Sequence, residues 1–89
     1  MPYIKRERRK ILDPLIHDLL KTIGGSGEVN YVFSKILYKL YSHGGYSLLN
    51  DAVGILECTK LEFYRRVIVP YEIQKIKENG DVYKEVDND

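Results

Sequence analysis

The chain has 89 residues, of which 44% are hydrophobic and 30% charged, with a net charge of +1. This length predicts one domain with a modest core, for which dimerisation is a natural supplement. The near-neutral charge gives no overall argument for nucleic acid or membrane as a partner. No apolar run approaches the roughly 20 residues needed to span a bilayer. No signal-peptide pattern follows the basic N-terminus, and the single cysteine, Cys58, excludes an intramolecular disulfide, so we expect a cytoplasmic protein.

Charge is distributed unevenly along the chain. Residues 1–10 carry a net charge of +4, and residues 78–89 carry a net charge of −4. We therefore predict a single helical domain spanning residues 1–89, with a basic N-terminal arm (1–10) and an acidic flexible tail (82–89).

Apolar residues that recur every three or four positions predict helices throughout. The pair Asp13-Pro14 has an N-cap residue followed by proline, which is typical of a helix start. The glycine-rich segment 24–27 matches neither phosphate-binding fingerprint and is interpreted as a linker. Gly54 is expected to mark a close approach of two helices. The fold class is all-α, a bundle of four main helices at about 13–23, 28–43, 47–58 and 60–78.

The fourth predicted helix has the widest apolar face. It starts with a capping-box pattern, Thr59 followed by Glu62, and stops at Asn79-Gly80. Pro70 lies in its middle and removes an amide hydrogen, so a kink or a break is possible there; helix-compatible residues after it favour the kink. Its predicted apolar face consists of Leu61, Phe63, Tyr64, Val67, Ile68 and Tyr71.

The sequence contains few indications of a metal site or of catalytic residues. His17, His43 and Cys58 do not have the short spacing of a zinc site, and no metal or cofactor is expected. The carboxylates are not spaced to share one helix face as in metal-dependent nucleotide hydrolases. The protein is therefore expected to be non-catalytic.

Three binding functions are predicted. The first is a homodimeric protein-interaction module that uses the fourth helix, because its wide apolar face requires burial. The second is nucleic-acid binding through the basic arm and Arg65/Arg66, with tyrosines stacking on unpaired bases. The third is a small-ligand or enzymatic site on the polar face formed by Glu62, Arg65, Arg66 and Glu72. The basic residues of the arm are Lys5, Arg6, Arg8, Arg9 and Lys10.

Several short motifs resemble a family of short prokaryotic and phage proteins of unknown function. They are Glu62-Phe63-Tyr64-Arg65-Arg66, Pro70-Tyr71-Glu72 and Glu78-Asn79-Gly80-Asp81-Val82-Tyr83. The resemblance extends over nearly the whole chain and implies a self-contained cytoplasmic domain. It implies no activity or ligand, and it places Glu62, Arg65, Arg66, Tyr71, Glu72 and Asp81 in a shared pattern.

Overall fold

A computed structural model describes residues 2–84 of the chain. The predicted all-α class is confirmed, since these residues contain helices and no strand. The chain divides into two units, Met1–Ile55 and Leu56–Asp89. The helical elements are α1 (Arg6–Leu20), α2 (Gly25–Tyr41), α3 (Tyr46–Phe63), a π-helical turn (Tyr64–Ile68) and α4 (Val69–Asn79).

Helix α1 starts seven residues earlier than the sequence pattern predicts. Its N-cap is Lys5, and Pro14 lies inside the helix, so the predicted start at Asp13 is wrong. Arginine, lysine, leucine and glutamate dominate the segment before Asp13, and these residues are good helix formers. Continuing the helix through them outweighs the one hydrogen bond that Pro14 removes. Much of the predicted basic arm is therefore helical.

Helix α2 starts within the segment predicted to be a linker. Gly24 is the N-cap in an extended conformation (φ −129°, ψ 125°), and its N–H donates to Oε1 of Glu28 at 2.7 Å. This carboxylate-to-amide bond resembles one half of a capping box, with the carboxylate one residue further along the helix. Gly25 has a φ of +75°, which a residue without a Cβ adopts readily. The glycines therefore begin the helix here.

The predicted third and fourth helices form one continuous helical stretch. Elements α3, the π-helical turn and α4 follow one another from Tyr46 to Asn79. The predicted boundary near Thr59 is wrong because the surrounding residues favour helix on both sides, and a local capping pattern does not end it. The described residues thus contain three helical stretches and not four. The predicted stop is correct, and Gly80 (φ +88°) donates its N–H to the Ile76 carbonyl at 2.8 Å.

The turn between α2 and α3 depends on a glycine. A Cβ added at Gly44 would lie 2.3 Å from Cβ of Leu48 and 2.2 Å from its Cδ2. Because the Cβ of Leu48 is fixed by the backbone, rotation of the leucine side chain would not remove the clash. At Gly54, by contrast, a Cβ would meet nothing within 4 Å, so the close helix approach expected there is absent from the described residues.

The apolar residues of these helices remain accessible. No residue between 2 and 84 is buried, and most large hydrophobic side chains are about half exposed. Helices α1 and α2, both in the first unit, do not pack against each other. The structure therefore does not support the predicted bundle. No helix within residues 2–84 is long and apolar enough to cross a membrane, and the predicted acidic tail lies outside the described residues from position 85 onwards.

Two glycine-to-alanine substitutions should have opposite effects on stability. We expect Gly44→Ala to lower the free energy of unfolding by about 1–3 kcal/mol, because the backbone must move to relieve the clash with Leu48. Gly54→Ala serves as the matched control. It should raise the free energy by up to about 1 kcal/mol through helix propensity. Urea unfolding at one protein concentration, followed by circular dichroism, measures both; equal stability of Gly44→Ala and the unsubstituted protein would contradict this interpretation.

Candidate functional site

The polar face predicted to bind a ligand lies in the second unit, around the π-helical turn. Glu62 forms ion pairs with Arg65 and with Arg66, the latter at 3.9 Å between Oε1 and Nη1. The Glu62 side chain is 21% exposed, whereas both arginine side chains are 67% exposed. Pairs of this kind within one helix contribute about 0.3–0.5 kcal/mol each. The two guanidinium groups therefore stay largely in solvent.

Proline has a specific effect on the backbone of this region. The N–H of Val69 donates to the Tyr64 carbonyl, five residues back, as in a π-helix. In an α-helix it would donate to Arg65, and Pro70 has no N–H to donate to Arg66. Two adjacent carbonyls, those of Arg65 and Arg66, thus lose the donors that an α-helix would supply. The predicted kink at Pro70 is not supported; the structure has a wider helical turn before the proline.

The π-helical turn brings together two side chains that are eight residues apart. In a regular α-helix, eight positions would leave Tyr64 and Glu72 about 80° apart around the axis. The extra residue of the π-helical turn reduces this to about 20°. The Tyr64 hydroxyl accordingly donates a hydrogen bond to the Glu72 carboxylate. This contact spans the turn.

The Tyr64–Glu72 contact has an electrostatic consequence. The hydrogen bond to Glu72 raises the pKa of Tyr64 above its ordinary value of 10.0, and the negative charge of Glu72 acts in the same direction. Partial desolvation and Tyr83 add smaller increases to this pKa. Tyr64 is thus held in its neutral, hydrogen-bond-donating form.

The same change of register realigns the apolar residues. With one extra residue in the turn, Ile73 and Ile76 come into phase with Leu61, Tyr64 and Ile68. Tyr71, which the sequence pattern assigned to this face, rotates away from it. We call the aligned set the α4 stripe: Leu61, Tyr64, Ile68, Ile73 and Ile76.

The structure therefore divides the four predicted ligand-binding residues into two groups. Glu62 contacts Arg65 and Arg66, whereas Glu72 bonds to Tyr64. The predicted ligand-binding role of these residues stays a prediction. The bond to Tyr64 and the roles of Ile73 and Ile76 were missed by sequence analysis. Pro70 was the feature of the sequence that could have indicated them, because a proline within a helix permits the side chains after it to shift by one residue around the helix axis.

The other candidate groups are separate from this face. Cys58 is an exposed free thiol. Among residues 2–84, no group of three or more His, Cys, Asp or Glu side chains is placed to hold a metal ion. In the first unit, the predicted nucleic-acid contacts occupy the N-cap of α1 and its first turns.

Removing the charge of Glu72 should lower the pKa of Tyr64. We expect Glu72→Ala to return the pKa of Tyr64 to the ordinary range of about 10. Glu72→Gln should lower this pKa by a smaller amount. Labelling tyrosine with ¹³C at Cζ and following the Tyr64 resonance by NMR measures this value. Glu78→Gln, on the same helix, is the matched control and should leave the Tyr64 pKa in place.

Because of the same contact, we expect the stability of the folded protein to fall as the pH rises into the alkaline range. Because the folded-state pKa of Tyr64 is raised, its stabilising contribution is complete below the unfolded-state pKa of about 10 and is lost as pH rises through the folded-state pKa. Tyr64→Phe should therefore reduce the loss of stability in that alkaline range. An unchanged alkaline profile would contradict the assignment.

Substituting Pro70 should change the register of the helix. Alanine restores an N–H that can donate to Arg66, so we expect Pro70→Ala to stabilise the helix by up to about 3 kcal/mol and to favour the α register. Tyr64 and Glu72 would then separate, and the pKa of Tyr64 would fall. Pro14→Ala, which replaces the proline inside α1, is the control: it should also stabilise but leave the Tyr64 resonance unchanged. A raised Tyr64 pKa in Pro70→Ala would show that the proline does not determine the register.

Comparison with known proteins adds a family but no activity. One family model matches residues 1–82, a domain of unknown function (DUF6899). A search of curated proteins and a search of solved structures each found no match. The specific residue pattern and the prokaryotic and phage source proposed from the sequence stay predictions. Because the match covers nearly the whole chain and includes most of both units, the protein belongs to the DUF6899 family.

Proposed function

We propose that this protein is a non-catalytic helical interaction module that forms a homodimer through the α4 stripe. The observation that carries the proposal is the absence of any buried residue between positions 2 and 84. Burial of apolar surface is the main favourable term in folding and association. A chain that is 44% hydrophobic and leaves its apolar side chains half exposed therefore favours a partner that covers them.

The α4 stripe is the best-supported surface for this contact. Leu61 is 52% exposed, Ile73 49% and Ile76 43%. The π-helical turn keeps the stripe on one side of the helix over about four turns, which is long enough for two helices to pack along it. A second copy is the simplest partner, because closed two-fold symmetry is the commonest arrangement among oligomers.

The polar groups beside the stripe suit the edge of such a contact. Arg65 and Arg66 remain two-thirds exposed while paired with Glu62, as is typical of the polar rim of an interface. Tyr64 contributes an aromatic ring at 49% exposure, and aromatic residues are enriched in interface centres. The proposal includes one functional domain formed by the whole chain and a cytoplasmic location, where an exposed free cysteine stays reduced.

A small-ligand site on the same polar face has weaker support. The guanidinium groups of Arg65 and Arg66 project into solvent, and Glu62 is already paired with both. Two surface grooves in the described residues are lined by other side chains. Ion pairing within one helix explains the spacing of Glu62, Arg65 and Arg66 without a ligand.

The proposal predicts that a polar substitution on the stripe weakens dimerisation. We expect Ile73→Gln to raise the dimer dissociation constant roughly 10- to 100-fold, because each of the two copies then leaves an apolar contact unmade. Sedimentation velocity over a range of concentrations measures the constant.

The control is Tyr71→Gln, which removes an apolar residue that is more exposed than Ile73 but lies off the stripe. We expect it to dimerise like the unsubstituted protein. A monomer at all micromolar concentrations would overturn the proposed function. Equal weakening by both substitutions would show that the contact is not confined to the α4 stripe.

A further inference from the structure

The start of α1 carries a concentrated positive charge that no ion pair within residues 2–84 neutralises. Five of the six residues from position 5 to position 10 are basic, and all five are exposed. None of them forms an ion pair in the part of the chain that the structure describes. Elsewhere in the same helix, Lys21 does pair with Asp18 at 3.9 Å. The basic residues are Lys5, Arg6, Arg8, Arg9 and Lys10.

The position of these charges is unfavourable for the isolated helix. The N-terminal end of a helix carries a partial positive charge and favours anionic groups. Here Lys5 is the N-cap, no side chain caps the free amides, and Glu7 is the one acidic residue of the first turn. An anionic partner bound at this end would reduce the repulsion among the basic side chains. It would also reduce their repulsion by the partial positive charge of the helix N-terminus.

A groove lies beside the same charges. The segment before α1 and the first turns of α1 enclose a surface groove of about 340 Å³. Its walls include Tyr3, which is 56% exposed, and Arg9, while Leu12 and Ile16 contribute apolar surface. Leu12 is half-buried. The groove therefore combines an aromatic ring, a guanidinium group and an apolar floor, and it also includes one acidic residue, Asp13.

We propose that this end of the protein binds single-stranded nucleic acid, with one unpaired base in the groove against Tyr3 and Arg9. Arg6, Arg9 and Lys10 lie on one side of α1, at the three- and four-residue spacing of neighbouring side chains. Arg6 and Lys10 contact phosphates of the backbone on that side.

The groove indicates a single strand because base stacking on an aromatic side chain requires an unpaired base. The apolar floor and the tyrosine distinguish this ligand from an acidic peptide, which would need the positive charge alone. Arginine, three of the five basic residues, matches phosphate geometry with two parallel hydrogen bonds. This site lies in the first unit and does not depend on the proposed dimer contact.

Fluorescence anisotropy of the full chain with a labelled oligothymidine, at low and at moderate salt, tests the proposal. We expect binding that weakens with salt, and a duplex of the same length to bind less tightly. Arg6→Glu combined with Arg9→Glu should lower the affinity for the single strand at least about tenfold and reduce the salt dependence. Tyr3→Ala should lower it about tenfold while leaving duplex binding unchanged.

The matched control is Lys35→Glu combined with Lys39→Glu, the same change of charge on exposed residues of α2. It should retain most of the affinity. Circular dichroism verifies that every variant keeps its helix content. No binding at low salt, equal loss in the control, or no effect of Tyr3→Ala would overturn the proposal. Binding to phosphatidylserine vesicles or polyglutamate without binding to the oligonucleotide would also overturn it.

Discussion

The amide hydrogen that Pro70 lacks is the constraint on which the arrangement of the second unit depends. In the α register the Arg66 carbonyl has no donor at this position, so leaving that register costs less here than elsewhere in the helix. The N–H of Val69 donates one residue further back, and the resulting phase brings Glu72 to the Tyr64 hydroxyl, where it raises the Tyr64 pKa. Pro14 is accommodated inside α1 without such a turn, so a proline within a helix does not by itself produce one.

The shift of phase has a consequence for association. It turns Tyr71 away and continues the apolar stripe into α4 through Ile73 and Ile76. An uninterrupted α-helix would instead have placed the charged residues Glu72 and Lys75 along the middle of that side, whereas the observed register places Glu72 at its edge, beside Tyr64. A continuous apolar stripe is a surface that a second helix can cover, whereas an interrupted one is not. The backbone irregularity and the proposed dimer contact thus share one physical cause.

The two units differ in the kind of surface they present. Around the π-helical turn, positive charges are paired with Glu62 within the same helix, which leaves the apolar residues as the distinguishing feature. At the start of α1 the positive charges form no ion pair within residues 2–84 and lie beside a groove that contains Tyr3. The proposed dimer contact therefore lies in the second unit, and the proposed nucleic-acid site lies in the first. The match to the DUF6899 family extends over most of both units.

The sequence by itself determined the helical class, the stop at Asn79-Gly80 and the pairing of Glu62 with nearby arginines, because these depend on interactions within a few residues. It misplaced the start of α1 at Asp13 and a boundary at Thr59, since capping residues are also tolerated inside a helix whose neighbours favour helix. Only the three-dimensional structure decided the register after Ile68. The register is defined by the backbone bond from the Val69 N–H to the Tyr64 carbonyl. Its effect is a rotation of every later side chain about the helix axis, which the spacing of residues in the sequence does not reveal.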